Sequence, residues 1–426
     1  HVALFGMSDV GLEHLPATDL RSLPGYSAQV AEQSRRALVR LGRLTEGAEA
    51  ELTRQILALA PAPAPATAVL TAEGAAPPHA TARATVLQAG LARRDVADLR
   101  GGEPCFLLVP QSRYHIAEVG PLYAELRSRG VNAQIFCPPE APVGVYRELT
   151  EFTDTVYRGD PDALAGSPLL GTFVLNDWGP STSRVITAVR AAGGVSLAKV
   201  EGVQDFTDVD TGRDRRPYRN CDVVLGQGAN DAEALAGREI EVVGSSRLER
   251  IRGAQEVPGG SSVLINLNFT YDVLEDAQDA WLWECVRGAQ ELGLDYEISA
   301  HPAQRNIPTD PAVQAHLSAD PFSHALRRSG VLVSRFSTVI YEAMAAGVPV
   351  IYLNTHGEKV PTFQDPAGAF LRVTEPGLAG PLTEALSWRG SYRERSDDFF
   401  RRQVDIDPLR APESRAADAI VARIRV

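Results

Sequence analysis

From Gly101 onward the chain alternates short, uninterrupted apolar runs with longer amphipathic stretches, and this rhythm restricts its fold more than any other feature. A run such as CFLLVP (105–110) has no polar residue at alternate positions. A strand made of it must be covered on both faces, as strands in helix-flanked parallel sheets are. Similar runs recur at 132–137, 172–176, 195–200, 222–226 and 240–244, with amphipathic stretches at 115–129 and 181–192 between them. These predict one Rossmann-like half. After a polar, glycine-containing stretch at 244–260, SVLINLN (262–268) opens a second series. Its strands are predicted at 295–300, 331–334 and 348–354, and its helices near 272–293, 310–318, 338–346 and 380–388, with a closing helix over 414–425.

A chain of 426 residues is long enough for two cores. The expected fold class is therefore α/β, with two Rossmann-like domains facing a cleft, since open α/β sheets bind ligands at the carboxyl ends of their strands. An extra helical segment is predicted at the N-terminus. Between Ser27 and Ala60 apolar residues recur at three- and four-residue steps, and the Pro/Ala stretches PAPAPATAV and EGAAPPHATA then break the pattern. The expected boundaries are 1–65 for the helical segment, 66–245 for the first Rossmann-like (acceptor) domain and 246–426 for the second (nucleotide donor) domain.

Composition narrows the function. A net charge of −12 repels polyanions, so nucleic acid is not expected as a partner, and any phosphate must meet a local basic or dipolar site. Cys105, Cys137, Cys221 and Cys285 have neither CxxC spacing nor a neighbouring His pair, which suggests buried small residues and neither disulfides nor zinc. No run of eighteen apolar residues occurs, and no signal-peptide pattern opens the chain, so the expected location is cytoplasmic, with peripheral contact at the inner face of the membrane left open. Oligomeric state is not legible.

The most informative segment is SGVLVSRFSTVIYEAMAAGVPVIYLN (329–354), which reads as strand, turn, helix and strand. Ser337 and Thr338 fall where the helix starts, so their hydroxyls can cap it while free amides and the positive helix end face outward to hold a phosphate. Glu342, one turn on, is placed to accept from a ribose hydroxyl. His301 and Pro302, in SAHPAQR (299–305), follow a predicted strand, where an imidazole can neutralise a leaving phosphate and Arg305 can assist. Each feature also has a purely structural reading, as a helix cap, a solvated acid or a loop histidine.

These segments resemble the donor site of GT-B transferases, and most closely the CDP-glycerol glycerophosphotransferase family and related bacterial transferases with a His-Pro motif. The likeness extends through EGVQDFTDVDTGRDRRPYRNCDVVLGQGANDAEAL and VVGSSRLERI, within 201–251, so it covers much of 195–354. It implies a metal-independent enzyme without a cofactor, whose donor is a CDP-, CMP- or UDP-activated sugar or polyol. It also implies a saccharide or lipid-linked acceptor and a place in bacterial cell-surface polysaccharide synthesis. Donor contacts fall on His301, Arg305, Ser337, Thr338 and Glu342.

The chain departs from that family at Glu201, where the family has the histidine expected to act as base. A carboxylate there can serve as base or as nucleophile, which favours a sugar donor. The catalytic candidates are Glu201, His115 and His301. His115, at the start of the first helix, is the alternative base, and Asp205 and Asp208 are lesser ones. Alternatively, Glu201 is simply paired with Lys199, Arg213, Arg215 or Arg216. Arg213, Arg215, Arg216 and Arg219 form a basic cluster suited to an anion or to solvent. Two other functions stay open. One is a non-hydrolysing UDP-N-acetylglucosamine 2-epimerase, although this chain has SRFSTVIYE where that family shows Ser-Gly-Gly and then Gln-Glu-Glu. The other is a transferase-like scaffold that has lost its base.

Overall fold

A computed structural model describes residues 91–424 except 142, 204–217, 255–259, 271–273, 302–303 and 305. The predicted helical segment at 27–60, both Pro/Ala stretches, Asp205, Asp208, Arg213, Arg215, Arg216, Pro302 and Arg305 lie outside the described residues. The chain divides into two compact units. Residues 1–91 with 140–147 form one, and residues 92–139 with 148–426 form the other, which contains both sheets.

The first sheet has eight parallel strands: β1 (Ala92–Asp95), β2 (Cys105–Val109), β3 (Ala133–Cys137), β4 (Thr155–Arg158), β5 (Leu169–Val174), β6 (Val195–Lys199), β7 (Val223–Gly226) and β8 (Ile240–Val242). Their order is β1-β4-β3-β2-β5-β6-β7-β8. The second sheet comprises β9 (Ser262–Leu267), β10 (Tyr296–Ala300), β11 (Ser329–Ser334), β12 (Val350–Leu353) and β13 (Leu371–Val373), in the order β10-β9-β11-β12-β13 and again parallel. The helices of eight or more residues are α1 (Ile116–Ser128), α2 (Pro180–Ala191), α3 (Ser246–Gly253), α4 (Gln278–Glu291), α5 (Val339–Ala346), α6 (Ala379–Ser387) and α7 (Pro412–Val421).

The apolar runs form the inner strands because they are buried on both faces: all five residues of β2 are buried, as are all four of β12. Three strands fall where no strand was predicted. All four residues of β1 (ARRD) are exposed, β13 (LRV) is an edge strand, and β4 (TVYR) pairs with the exposed β1, so none carries the apolar run that marks a central strand. The stretch predicted as a helix at 310–318 shortens to Pro311–Gln314. Helix α7 packs its Ala416, Ala417 and Ile420 into the same core as Leu122 and Leu126 of α1, so the end of the chain covers the first sheet. The four cysteines are free and buried.

Strand order reverses at two places, between β2 and β5 in the first sheet and between β9 and β11 in the second. Loops leaving such neighbours diverge to opposite faces and open a crevice at the carboxyl edge. His115 follows β2, Trp178 follows β5, Asn268 follows β9 and Ser337 follows β11, so both reversals carry polar or aromatic side chains at their carboxyl edges.

Candidate active site

The first sheet contributes a histidine and a carboxylate. His115 is fully buried at the start of α1, and its Nε2 lies 3.1 Å from Oε2 of Glu201, just past β6. The other ring nitrogen, Nδ1, accepts from the Gln111 amide at 3.1 Å. An imidazole whose Nδ1 accepts must carry its proton on Nε2, so His115 donates to Glu201. The Tyr114 phenol donates to the same oxygen at 3.2 Å. With Oε2 held by two donors, Oε1 is the oxygen that remains open among the described residues. The Glu201 side chain is 20% exposed and the His115 side chain not at all, so the carboxylate meets solvent and the imidazole lies behind it. The two candidate bases thus come together as one unit, in which His115 orients and Glu201 is presented.

Behind Glu201 stands Tyr218, fully buried, whose hydroxyl accepts from the Glu201 amide at 3.2 Å. Its backbone has φ of 64°, a left-handed conformation that bulky residues adopt only under constraint. Asp177 supplies the constraint. It accepts from the amides of Tyr218 at 2.7 Å, Asn220 at 2.5 Å and Cys221 at 3.2 Å. Burial, with the Glu201 charge second, pushes the Tyr218 phenol well above its usual range, so it stays a neutral hydrogen-bonding group. Lys199 does not pair with Glu201. Its ammonium lies 3.4 Å from Glu118 and donates to the Gly244 carbonyl.

The second sheet contributes the amino end of α5. Ser337 Oγ accepts from the Val339 amide at 3.4 Å, a weak cap. Thr338 does not cap as predicted: its own backbone is already helical, and its hydroxyl oxygen instead accepts from the Val203 amide at 3.1 Å. The amides of Ser337 and Thr338 donate to nothing among the described residues. Two unpaired donors at a helix start make a place for an anion. A buried cluster fixes the turn before them. Glu358 accepts from the Phe336 amide at 2.7 Å and lies 2.7 Å from Arg335 and 3.1 Å from His356. Burial alone would raise the Glu358 pKa, but the adjacent His356, the Arg335 charge and the Phe336 amide outweigh it and bring it down to about 2.

His301, at the end of β10, has its pKa lowered by burial, so at neutral pH it is an uncharged imidazole. Glu342 was expected to face a ribose. It is nearly buried and lies 3.1 Å from Arg247 of α3, so a ribose hydroxyl would have to share it with that guanidinium. Arg247 sits in the crossover between sheets, and Glu118 of α1 anchors that crossover by accepting from Ser245 Oγ at 2.5 Å and from the amides of Ser246 and Arg247 at 3.1 Å each. Burial opposes ionisation of Glu118, yet the Lys199 charge, the Ser245 bond and the Arg247 amide together lower its pKa.

Sequence reasoning singled out Glu201, His115, Ser337 and Thr338, and the structure joins the first two directly. The strand-end segment Glu201–Val203 meets Thr338, so the carboxyl edges of the two sheets approach each other there. It missed Tyr114, Asp177, Trp178 and Tyr218. The polar and aromatic NDWG turn immediately after a strand was the available signal for two of them. Among the described residues, no cluster of three or more His, Cys, Asp or Glu is arranged to hold a metal ion, and no helix is long and apolar enough to cross a membrane.

Neither a protein-family model nor a curated protein sequence matches the chain. Solved structures do. A protein from Listeria monocytogenes described as a UDP-N-acetylglucosamine 2-epimerase superposes with a TM-score of 0.53 at 13% identity, over 75% of this chain and 95% of that one. S. aureus MnaA, solved with UDP, gives 0.50 at 10% identity over 75% and 95%. The wall teichoic acid polymerase TagF (H548A) gives 0.48 at 14% identity over 76% and 90%. At these identities the first two likenesses speak for the fold alone, which is the GT-B arrangement of two parallel α/β layers.

Proposed function

We propose that this chain is a metal-independent transferase that takes a glycosyl or polyol-phosphate group from a CDP-, CMP- or UDP-activated donor, in cell-surface polysaccharide synthesis. The observation that carries this reading is the pairing of Glu201, held by His115 and Tyr114, with the open amides of Ser337 and Thr338 across the Val203–Thr338 bond. A base and an anion site on facing strand edges are what group transfer from a nucleotide requires.

In this reading an acceptor hydroxyl gives its proton to Oε1 of Glu201. Its oxygen attacks the transferred group, and the bond to the leaving phosphate breaks. The electron pair passes to a phosphate oxygen, which the two amides and the positive end of α5 stabilise together with a hydrogen bond from the neutral ring of His301. His115 is a positioning residue: its Nε2–H keeps the carboxylate aimed. Glu342 binds the ribose with Arg247 as its partner in the free protein, and Arg305 completes the phosphate contacts.

The test is direct. A panel of UDP-, CDP- and CMP-activated sugars and polyols is incubated with the protein and with saccharide and lipid-linked acceptors, and products are read by mass spectrometry. Transfer, or slow donor hydrolysis lost in Glu201→Gln, supports the reading. Formation of a C2 epimer from UDP-N-acetylglucosamine without any acceptor would replace it with an epimerase. Failure of every nucleotide to bind would leave a scaffold.

A further inference from the structure

Five large hydrophobic residues are exposed among the described residues, and the two aromatic ones, Tyr114 and Trp178, both belong to the shell around Glu201. Tyr114 is 45% exposed and its hydroxyl donates to Glu201 Oε2. Trp178 is 52% exposed and packs edge-on against Tyr218, at 5.7 Å between ring centroids, and the Tyr218 hydroxyl accepts from the Glu201 amide. One aromatic is therefore tied to the carboxylate and the other, through one ring, to its backbone.

Neither residue sits on a loose loop. Tyr114 lies in the 3-10 turn Arg113–His115, directly before the fully buried His115. Trp178 lies between Asp177, which holds three amides, and Gly179, where a Cβ would come within 3.0 Å of Gln111 Nε2. Gln111 links the two segments: its amide bonds His115, and its side chain bonds Thr182. Burying either ring against a ligand would thus cost little further ordering, as with rigid aromatic anchors in recognition surfaces.

We propose that Tyr114 and Trp178 form the acceptor platform and select a pyranose ring. An aromatic face is apolar at its centre and carries negative charge density, which suits the polarised C–H face of a sugar, while a ring with a polar tip serves a ligand that is part apolar and part wet. The stacked ring presents one hydroxyl to Glu201 Oε1. An acyclic polyol phosphate has no such face and gains nothing from Trp178. The inference rests on the reading of Glu201 as the acceptor-side base, and it narrows the acceptor to a saccharide.

Saturation-transfer NMR on the full chain, with saturation in the aromatic region, tests this with methyl glycosides of glucose, galactose, N-acetylglucosamine and N-acetylmannosamine, and with glycerol 3-phosphate, each with and without UDP. The expected result is transfer to the ring C–H protons of at least one glycoside and none to glycerol 3-phosphate. Trp178→Ala should weaken glycoside binding by about tenfold, the scale of an aromatic anchor. Trp178→Phe should restore most of it, and the thermal shift given by UDP should be the same in both variants, which also shows that both are folded. The proposal is overturned if no glycoside receives saturation, if glycerol 3-phosphate does so equally, or if Trp178→Ala binds like wild type. Absence of any nucleotide shift in wild type would instead sink the donor reading, whatever the glycosides do.

Discussion

A Cβ built on Gly202 would fall 2.0 Å from Oγ1 of Thr338, so the strand end that carries Glu201 and the helix start that offers two amides are in contact at a point where only glycine fits. The next amide, that of Val203, donates to the same oxygen. The candidate base and the candidate anion site are therefore held in one register.

Gly202→Ala should force the two edges apart. An overpacked contact of this kind costs about 1–3 kcal/mol, read as a lower midpoint of thermal unfolding. Thr338→Ala removes the oxygen that the new methyl would strike, so the double variant should recover part of the loss although Thr338→Ala alone also forfeits the Val203 bond. Strict additivity in this cycle would mean that the contact is not made in solution.

Glu201→Gln should abolish the proton acceptor while leaving the fold intact, and a lost general base lowers turnover by roughly 10²–10⁴-fold. His115→Asn should lower it less, because Glu201 remains and only its aim is disturbed. Nucleotide binding, followed by thermal shift, should be unchanged in both. If His115→Asn were the more damaging of the two, the assigned order of base and positioning residue would be reversed.

The Glu118–Lys199 pair is buried at the crossover between sheets. Glu118→Ala leaves a buried ammonium without a counter-charge and strips three donors from their acceptor, a loss on the order of 3–5 kcal/mol in chemical denaturation. Adding Lys199→Met should return much of it. Both the loss and the recovery are measured from urea unfolding curves.

Acid stability should depend on Glu358. Its folded pKa of about 2 lies below the ordinary 4.5, so the folded state favours the carboxylate. That stabilisation is complete above pH 4.5 and is lost as pH falls towards 2, an effect on the order of 3 kcal/mol. Glu358→Gln should lower stability at pH 7, where Arg335 loses its negatively charged acceptor, and should flatten the fall in stability between pH 5 and 3. An unchanged acid limb in this variant, followed by circular dichroism, would assign the acid sensitivity elsewhere.

How much of this was legible in the sequence follows from what each residue's neighbours demand. Inner strands such as β2 and β12 are buried on both faces and announce themselves as apolar runs, whereas β1, with the sequence ARRD, is an exposed edge that reads as loop. Ser337 and Thr338 were legible because a helix start leaves a local mark. The Thr338 hydroxyl was misread as a cap because its actual partner, Val203, is 135 residues away. Likewise Glu201 and His115 were separately visible, but their pairing depends on β2 and β6 flanking β5, which sequence spacing does not express. Asp177 and Trp178 escaped notice for the same reason, since their work is done on a segment some forty residues further on.

The most direct test of the central claim is calorimetric titration of UDP, CDP and CMP into wild type, Thr338→Ala and Thr338→Pro. The backbone at Thr338 has φ of −60°, which suits proline, so Thr338→Pro removes the amide N–H as well as the hydroxyl, while Thr338→Ala removes the hydroxyl and its methyl and keeps the amide. The account predicts that at least one nucleotide binds wild type and Thr338→Ala with similar affinity and binds Thr338→Pro at least about tenfold more weakly, the loss of one charge-assisted hydrogen bond. Equal binding by all three proteins, or binding by none, would contradict it.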